Sequence, residues 1–274
     1  MLLGIDIGGT TISMGLVDRT GVVGKACFDS FRHGASLDET LEYLSECIGK
    51  VITPDVERIG VGVPTLVDPY KGIVYNAMNI PSWKEVHLRD FLEKRFGIPA
   101  AVNNDANCFA LGAAAKLPDN YEVVVGVTLG TGTGVGIVVD GKIMCGANCG
   151  AGELCSVPYN GADYESFCSQ KFFLSNGWKS GREAAEAAQA SDQKALQFFE
   201  EFGRHLGEFL TLVVYAYDPG CIVIGGGIAH TAPWFKDSLA RTLRSRYPYA
   251  HAINKLSIRF MPEDDIALLG ASLL

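Results

Sequence analysis

Two glycine-rich turns, each set between β-rich runs, constrain this chain more than any other feature. Asp6-Ile7-Gly8-Gly9-Thr10-Thr11 follows the apolar run from Met1 to Ile5 and leads into Ile12–Val17. Leu129-Gly130-Thr131-Gly132-Thr133-Gly134 follows Val123–Thr128 and leads into Val135–Val139. Glycine lets backbone N–H groups come close to an anion, and threonine adds hydroxyl donors. One such loop is weak evidence. Two of them, opening two halves of one chain, point to a polyphosphate gripped from both sides, and so to a nucleotide and phosphoryl transfer.

The periodicity around the loops is that of a duplicated α/β plan. In the first half, strands are expected at Leu2–Asp6, Thr11–Asp18 and Val22–Phe28. Ser36, with Glu39 three residues on, reads as a capping box opening a helix to about Val51. Arg58–Val63 and Pro99–Asn103 read as strands, Trp83 as the opening of a helical stretch with Leu88, Phe91 and Leu92 on one face, and Asp105–Lys116 as an alanine-rich helix. The second half gives strands at Val123–Thr128, Val135–Val139 and Lys142–Met144, a long helix from about Asp192 to Tyr217 and a strand at Cys221–Ile224 running into Gly225-Gly226-Gly227. Trp234–Arg246 (helix), Leu256–Met261 (strand) and Ile266–Ser272 (helix) complete it. The repeat is β-β-β-α-β-α. Two domains facing a central cleft are expected, 1–115 and 116–274, with a hinge near Lys116–Asn120 and the C-terminal helix able to pack back onto the first.

Charge and composition narrow the partners. A net charge of −8 over 274 residues argues against nucleic acid or an anionic membrane as partner, but not against ATP, which local N–H groups and Mg²⁺ can hold. The longest apolar stretches, such as Phe209–Tyr217, fall well short of the ~20 residues a bilayer helix needs. The N-terminal apolar run ends at Asp6 with no basic region before it, unlike a signal peptide, so a cytoplasmic enzyme is expected. The eight cysteines then read as free thiols, with Cys27, Cys47, Cys108 and Cys221 as small core residues.

Asn103-Asn104-Asp105-Ala106-Asn107 lies where a strand meets a helix. A carboxylate there suits a general base, which must accept a hydroxyl proton while the γ-phosphoryl is held in line. Asn104 beside it has the paired donor and acceptor to fix a polyol. Read alone, the segment fits an Asp N-cap with Asn neighbours better than a catalytic base; beside two phosphate loops the balance reverses.

Taken together, Asp6-Ile7-Gly8-Gly9-Thr10, Asn104-Asp105-Ala106-Asn107, Leu129-Gly130-Thr131-Gly132 and Ile224-Gly225-Gly226-Gly227 resemble the ROK family of sugar kinases, in order and over essentially the whole chain. That family belongs to the hexokinase–actin–Hsp70 superfamily, so the resemblance implies two ribonuclease-H-like domains of the actin-like ATPase kind. It further implies roles residue by residue. Asp6 orients Mg²⁺ through water, while Gly8, Gly9, Thr10 and Thr11 face the phosphates. Gly130, Thr131 and Gly132 form the second phosphate loop, and Gly225, Gly226 and Gly227 open the adenosine pocket. Asp105 is the base that activates the sugar hydroxyl and Asn104 holds its neighbours.

The resemblance extends to further sugar contacts and then breaks. Asn79-Ile80-Pro81-Ser82-Trp83 matches an Asn-Leu-x-x-Trp segment, which makes Asn79 a sugar ligand. Gly62-Val63-Pro64-Thr65 matches Gly-x-Pro-Gly, with Thr65 adding a side chain near the sugar where glycine is common. Gly152-Glu153 matches the start of Gly-Glu-x-Gly-His, so Glu153 is expected on sugar hydroxyls, with a carboxylate's capacity to accept from two at once. Cys155 and Ser156 then stand where Gly and His belong, and the zinc-binding Cys-x-Cys-x-x-x-x-Cys run is replaced by Tyr159-Asn160-Gly161-Ala162-Asp163-Tyr164-Glu165. Glu165 aligns with a glutamate that can still meet the sugar, and Ser156 can donate one hydrogen bond in place of the histidine. Cys145, Cys149, Cys155 and Cys168 lack a Cys-x₂-Cys knuckle, and no zinc is expected. His87 and His205 sit in helical patterns without a triad context. Leu196, Phe199, Phe202, Leu206 and Phe209 form a core stripe.

The function implied is phosphorylation of a hexose hydroxyl, O6 in a glucokinase-like reaction, with ATP and Mg²⁺ as cofactors in a homodimer. An N-acetylmannosamine or N-acetylglucosamine kinase, and a fructose, allose or β-glucoside kinase, remain open within the class. From other classes, a weakly active sugar sensor stays open because of the lost histidine. A ROK repressor needs a basic helix-turn-helix, for which the strand starting at Leu2 leaves no room.

Overall fold

The computed structural model describes every residue except Met78. The first β-rich run forms β1 (Leu2–Ile7), whose Leu3, Ile5 and Ile7 are fully buried. The first glycine loop turns the chain back as a hairpin into β2 (Thr11–Asp18), with Ile7 opposite Ile12 and Asp6 opposite Ser13. β3 (Gly21–Asp29) pairs antiparallel with β2. The Ser36–Glu39 capping box is made in both directions, at 3.3 and 2.8 Å, and opens α1 (Leu37–Gly49). β4 (Arg58–Val63) returns parallel to β1.

Between β4 and the next sheet strand lies structure that the sequence patterns did not indicate: β5 (Leu66–Asp68), β6 (Ile73–Tyr75) and β7 (Glu85–Val86) form a small antiparallel sheet. The helix expected to open at Trp83 begins instead at Leu88 (α2, Leu88–Phe96). Trp83 is fully buried before it, its indole Nε1–H donating to Thr40 Oγ1 at 2.8 Å. A buried indole N–H needs an acceptor, and that need fixes this turn more firmly than helical spacing does. β8 (Ala100–Asn104) pairs parallel with β4, and α3 (Asp105–Lys116) follows at once. The sheet order is β3-β2-β1-β4-β8.

The second repeat begins with β9 (Val123–Leu129) and β10 (Thr133–Val139), an antiparallel pair joined by the second glycine loop. The Asp140-Gly141 turn, both residues at positive φ, leads to β11 (Lys142–Ile143). A 3₁₀ turn at Glu153–Ser156, the short strands β12 (Pro158–Tyr159) and β13 (Ala162–Asp163), and helices α4 (Tyr164–Cys168), α5 (Gln170–Ser175) and α6 (Gly181–Gln189) lead into the long α7 (Gln193–Tyr217). Its expected stripe is buried at Phe199, Phe202, Leu206 and Phe209, with Leu196 half-buried. β14 (Cys221–Gly225) pairs parallel with β9, α8 (Ala232–Arg246) packs on α7, and α9 (Ala250–Ile253) precedes β15 (Ser257–Phe260), which pairs parallel with β14.

The last helix, α10 (Asp265–Ser272), packs on α3 and β1. The contact is backbone to backbone: a Cβ on Gly112 would lie 2.0 Å from the Ile266 carbonyl oxygen, and one on Gly270 1.7 Å from that of Cys108. The chain thereby divides into two units, one of Met1–Pro118, Gly141–Ala151 and Asp264–Leu274, the other of Asp119–Asp140 and Gly152–Glu263. Cys27, expected in the core, is exposed, because it alternates outward on β3; Cys145, Cys155 and Cys168 are buried along with Cys47, Cys108 and Cys221. Among the described residues no helix is long and apolar enough to cross a membrane.

Candidate active site

In the first unit the predicted residues gather at the C-terminal ends of the parallel strands β1, β4 and β8, the end of an open α/β sheet where ligands bind. Register brings them together: Asp6 stands opposite Gly62, and Val63 opposite Asn104. Gly62 lies against both candidate residues. A Cβ there would lie 3.6 Å from Asp6 Oδ1 and 3.5 Å from the Asp105 Cα. A side chain at this point would fill the space between them.

Asp6 is half-buried at the end of β1, and its pKa is pushed up to about 7, first by burial of the carboxylate and then by the negative charges of Asp105 and Asp264. Asp264, just before α10, was not anticipated; nothing in the local sequence links it to β1. Burial, then the charges of Asp6 and Asp105, hold the Cys108 thiol well above its usual range. A buried carboxylate crowded by two others is relieved by a divalent cation, so these residues fit Mg²⁺. Among the described residues no group of three His, Cys, Asp or Glu could cage a metal alone.

The first loop is tightly tied. Gly8 N–H donates to the Thr11 carbonyl at 2.8 Å, and Ser30 clamps the loop through its N–H to Thr10 O and its hydroxyl to Gly8 O, each at 2.9 Å. Gly9, Thr10 and Thr11 are exposed. Asn79 comes to the same loop: a Cβ on Gly9 would lie 3.3 Å from Asn79 Nδ2.

Asn104, rather than Asp105, caps α3. Its Oδ1 accepts from Ala106 N–H at 2.9 Å and Asn107 N–H at 3.3 Å, and its Nδ2 donates to Thr65 O at 3.1 Å. Thr65 Oγ1 in turn donates to Tyr75 O at 2.7 Å. The two side chains expected on the sugar thus also hold the β4–β5 corner to the start of α3. Asp105, the first helical residue, is thereby aimed from a rigid base.

In the second unit the second loop is braced from behind. Gly130 N–H donates to Gly132 O at 2.9 Å, Gly130 O accepts from Gln170 N–H at 2.9 Å, and Thr133 Oγ1 donates to Cys168 O at 3.0 Å. Glu165 lies directly on this loop. Its Oε2 accepts from Thr133 N–H at 3.3 Å and would be 2.7 Å from a Cβ on Gly132, and its Oε1 is bound by Lys171 Nζ. Lys171 was not anticipated; it belongs to a different helix from Glu165, so no periodicity links them. Gly225 stands opposite Thr128, and Gly226, at φ +82°, passes so near Leu129 that a Cβ would be 2.5 Å from its carbonyl oxygen. The third glycine turn therefore abuts the second.

Glu153 and Ser156 are exposed on the 3₁₀ turn, while Cys155 between them is buried. Gly152 sets this turn at φ +98°, with a Cβ only 2.2 Å from Val135 O, so no other residue fits. Burial, then Glu153 and Glu165, push the Cys155 thiol up to about 11. Cys145 and Cys149 belong to the first unit, Cys155 and Cys168 to the second. The segment that stands in place of the family's cysteine run is held by rings instead. Tyr159 stacks on Tyr164 at 4.2 Å and its hydroxyl bonds His205 Nδ1 at 2.9 Å, with Phe167 packed on His205 at 4.7 Å. Burial and the neighbouring Arg204 lower the His205 pKa.

These strand-end motifs extend to the whole chain, for residues 2–274 match the ROK family. The chain belongs to the ROK family. Its ROK relatives include the glucokinase of Halalkalibacterium halodurans, 28% identical, with 93% of this chain and 87% of that one aligned. The xylose repressor of Bacillus subtilis is 25% identical over 89% of this chain and 68% of its own length. Among solved structures, the ROK hexokinase of Thermus thermophilus superposes with a TM-score of 0.81 at 27% identity, covering 99% of this chain and 96% of that one. The fold is the two-domain α/β fold of ROK sugar kinases, its sheets mixed parallel and antiparallel.

Proposed function

We propose that this protein is an ATP-dependent sugar kinase that transfers the γ-phosphoryl group to a hexose hydroxyl, O6 in a glucokinase-like reaction. The observation that carries the reading is the pair Asp6 and Asp105 on either side of Gly62, beside a glycine loop at the strand ends. One carboxylate is half-buried and crowded by other carboxylates, suited to a cation. The other starts a helix whose capping is done by its neighbour.

Asp105 accepts the proton of the attacking hydroxyl on its carboxylate. Asn79, Asn104, Thr65, Glu153 and Ser156 orient the sugar. The N–H groups and hydroxyls of Gly8 to Thr11 and of Gly130 to Gly132 take the phosphates, and Gly225 to Gly227 the adenosine. Asp6 would hold Mg²⁺, which would supply charge neutralisation on the phosphates. Positioning and electrostatics provide most of the acceleration in such transfers.

ADP release, measured with MgATP against glucose, fructose, allose, N-acetylmannosamine, N-acetylglucosamine and a β-glucoside, tests this. Turnover with one sugar, lost in Asp105→Asn, is the expected result. Cys155 and Ser156 in the altered signature favour a second reading, a sugar-binding sensor. Sugar and ATP binding without ADP release from any sugar would decide for it.

A further inference from the structure

The candidate phosphate machinery is rich in anions and poor in cations. In the second unit Glu153 and Glu165 are carboxylates, and the second and third glycine turns contribute no charged side chain. A triphosphate brings more negative charge to this place, and phosphoryl transfer depends on spreading it.

One cation is already poised there. Lys171 reaches the second glycine loop by way of Glu165, one carboxylate's width from the N–H of Thr133. Its side chain is 55% exposed and Glu165's 28%. An ion pair this open contributes little, about 0–1 kcal/mol, so exchanging one anion for another costs little. Lysine suits such an exchange: a compact point charge on a flexible four-carbon stem with three rotatable donors. Glu165 has a second attachment, at Thr133 N–H, and Gly132 leaves room for it. The carboxylate therefore stays on the loop when the ammonium turns away.

We infer that Lys171 is the cationic side chain that receives the terminal phosphates of the donor nucleotide at the second glycine loop, leaving Glu165 for a phosphate oxygen when the nucleotide binds. Glu165 is then a brace of the loop and the resting partner of Lys171. The inference rests on the kinase reading and adds a residue and a charge exchange to it.

Calorimetric titration with adenosine, MgADP and the Mg²⁺ complex of a non-hydrolysable ATP analogue distinguishes the roles, run on wild type, Lys171→Met, Lys171→Arg and Glu165→Gln. Lys171→Met is expected to weaken the analogue at least tenfold and ADP by less, and to leave adenosine within twofold. Lys171→Arg recovers most of the loss. Glu165→Gln keeps an acceptor for Thr133 N–H but removes the competing charge, so the analogue binds as well or more tightly. Equal losses in Lys171→Met and Glu165→Gln, or a loss that extends to adenosine, would reduce the pair to a loop prop and overturn the inference. A wild type that phosphorylates a sugar, with Lys171→Met unchanged in analogue affinity and in KM for ATP, overturns it and leaves the kinase reading standing. A wild type that binds neither adenosine nor the analogue overturns both.

Discussion

Asp6 shows how a candidate functional residue is maintained against stability. Its pKa of about 7 means that the folded chain binds a proton there more readily than the unfolded chain does, with an ordinary value of 3.8. The sign follows: in the absence of metal this group's contribution to stability falls as pH rises from about 4 to about 7 and is level above. Asp6→Asn should therefore be more stable than wild type in metal-free buffer at pH 8, by at most a few kcal/mol at about 1.4 kcal/mol per pKa unit. The gain should vanish near pH 4. Thermal melts across that range check this, and a gain independent of pH would refute the electrostatic account. Most of the candidate residues were legible, because glycine loops and an Asp after a strand carry their chemistry in local order. Asp264 and Lys171 were not legible, since each reaches its partner through folding alone. Asn104 was legible only in part: its polyol-binding chemistry and its capping chemistry use the same atoms.

At the scale of elements, long periodic segments were readable and short ones were not. The Ser36–Glu39 box and the α7 stripe appear as expected, but β5, β6 and β7 are two or three residues each and carry no period. Trp83 misled because a tertiary hydrogen bond to Thr40, rather than helical spacing, sets its turn. The packing of α10 on α3 depends on glycines where the two backbones meet. Gly112→Ala would place a methyl 2.0 Å from Ile266 O, against backbone that cannot rotate away. Overpacking of this kind costs typically 1–3 kcal/mol, and more where nothing yields. Chemical denaturation should show at least that loss for Gly112→Ala. A loss below about 0.5 kcal/mol, the range of ordinary surface changes, would mean the contact is looser than described.

At the scale of the molecule, the duplicated plan and the return of the C-terminal helix to the first half were legible in the sequence, but the contribution of Gly141–Ala151 to the first unit was not. The first unit takes its last helix from the end of the chain and a further segment from Gly141–Ala151. A Cβ on Gly4 would lie 2.0 Å from Leu268 O, so β1 is shaped to receive α10. Residues 1–118 expressed alone should accordingly lack a cooperative thermal transition by circular dichroism, because the face of the sheet and of α3 that α10 covers is left bare. A sharp transition in that fragment would contradict this. The central claim concerns transfer itself, and one measurement addresses it directly: single-turnover transfer of label from γ-³²P-ATP to the sugar that wild type turns over, followed in wild type and Asp105→Asn. The account predicts labelled sugar phosphate from wild type. It predicts a rate at least a thousandfold lower in Asp105→Asn, in line with the ~10²–10⁴ that general-base catalysis contributes, with sugar and nucleotide affinity retained. Labelled sugar formed at similar rates by both proteins would contradict it.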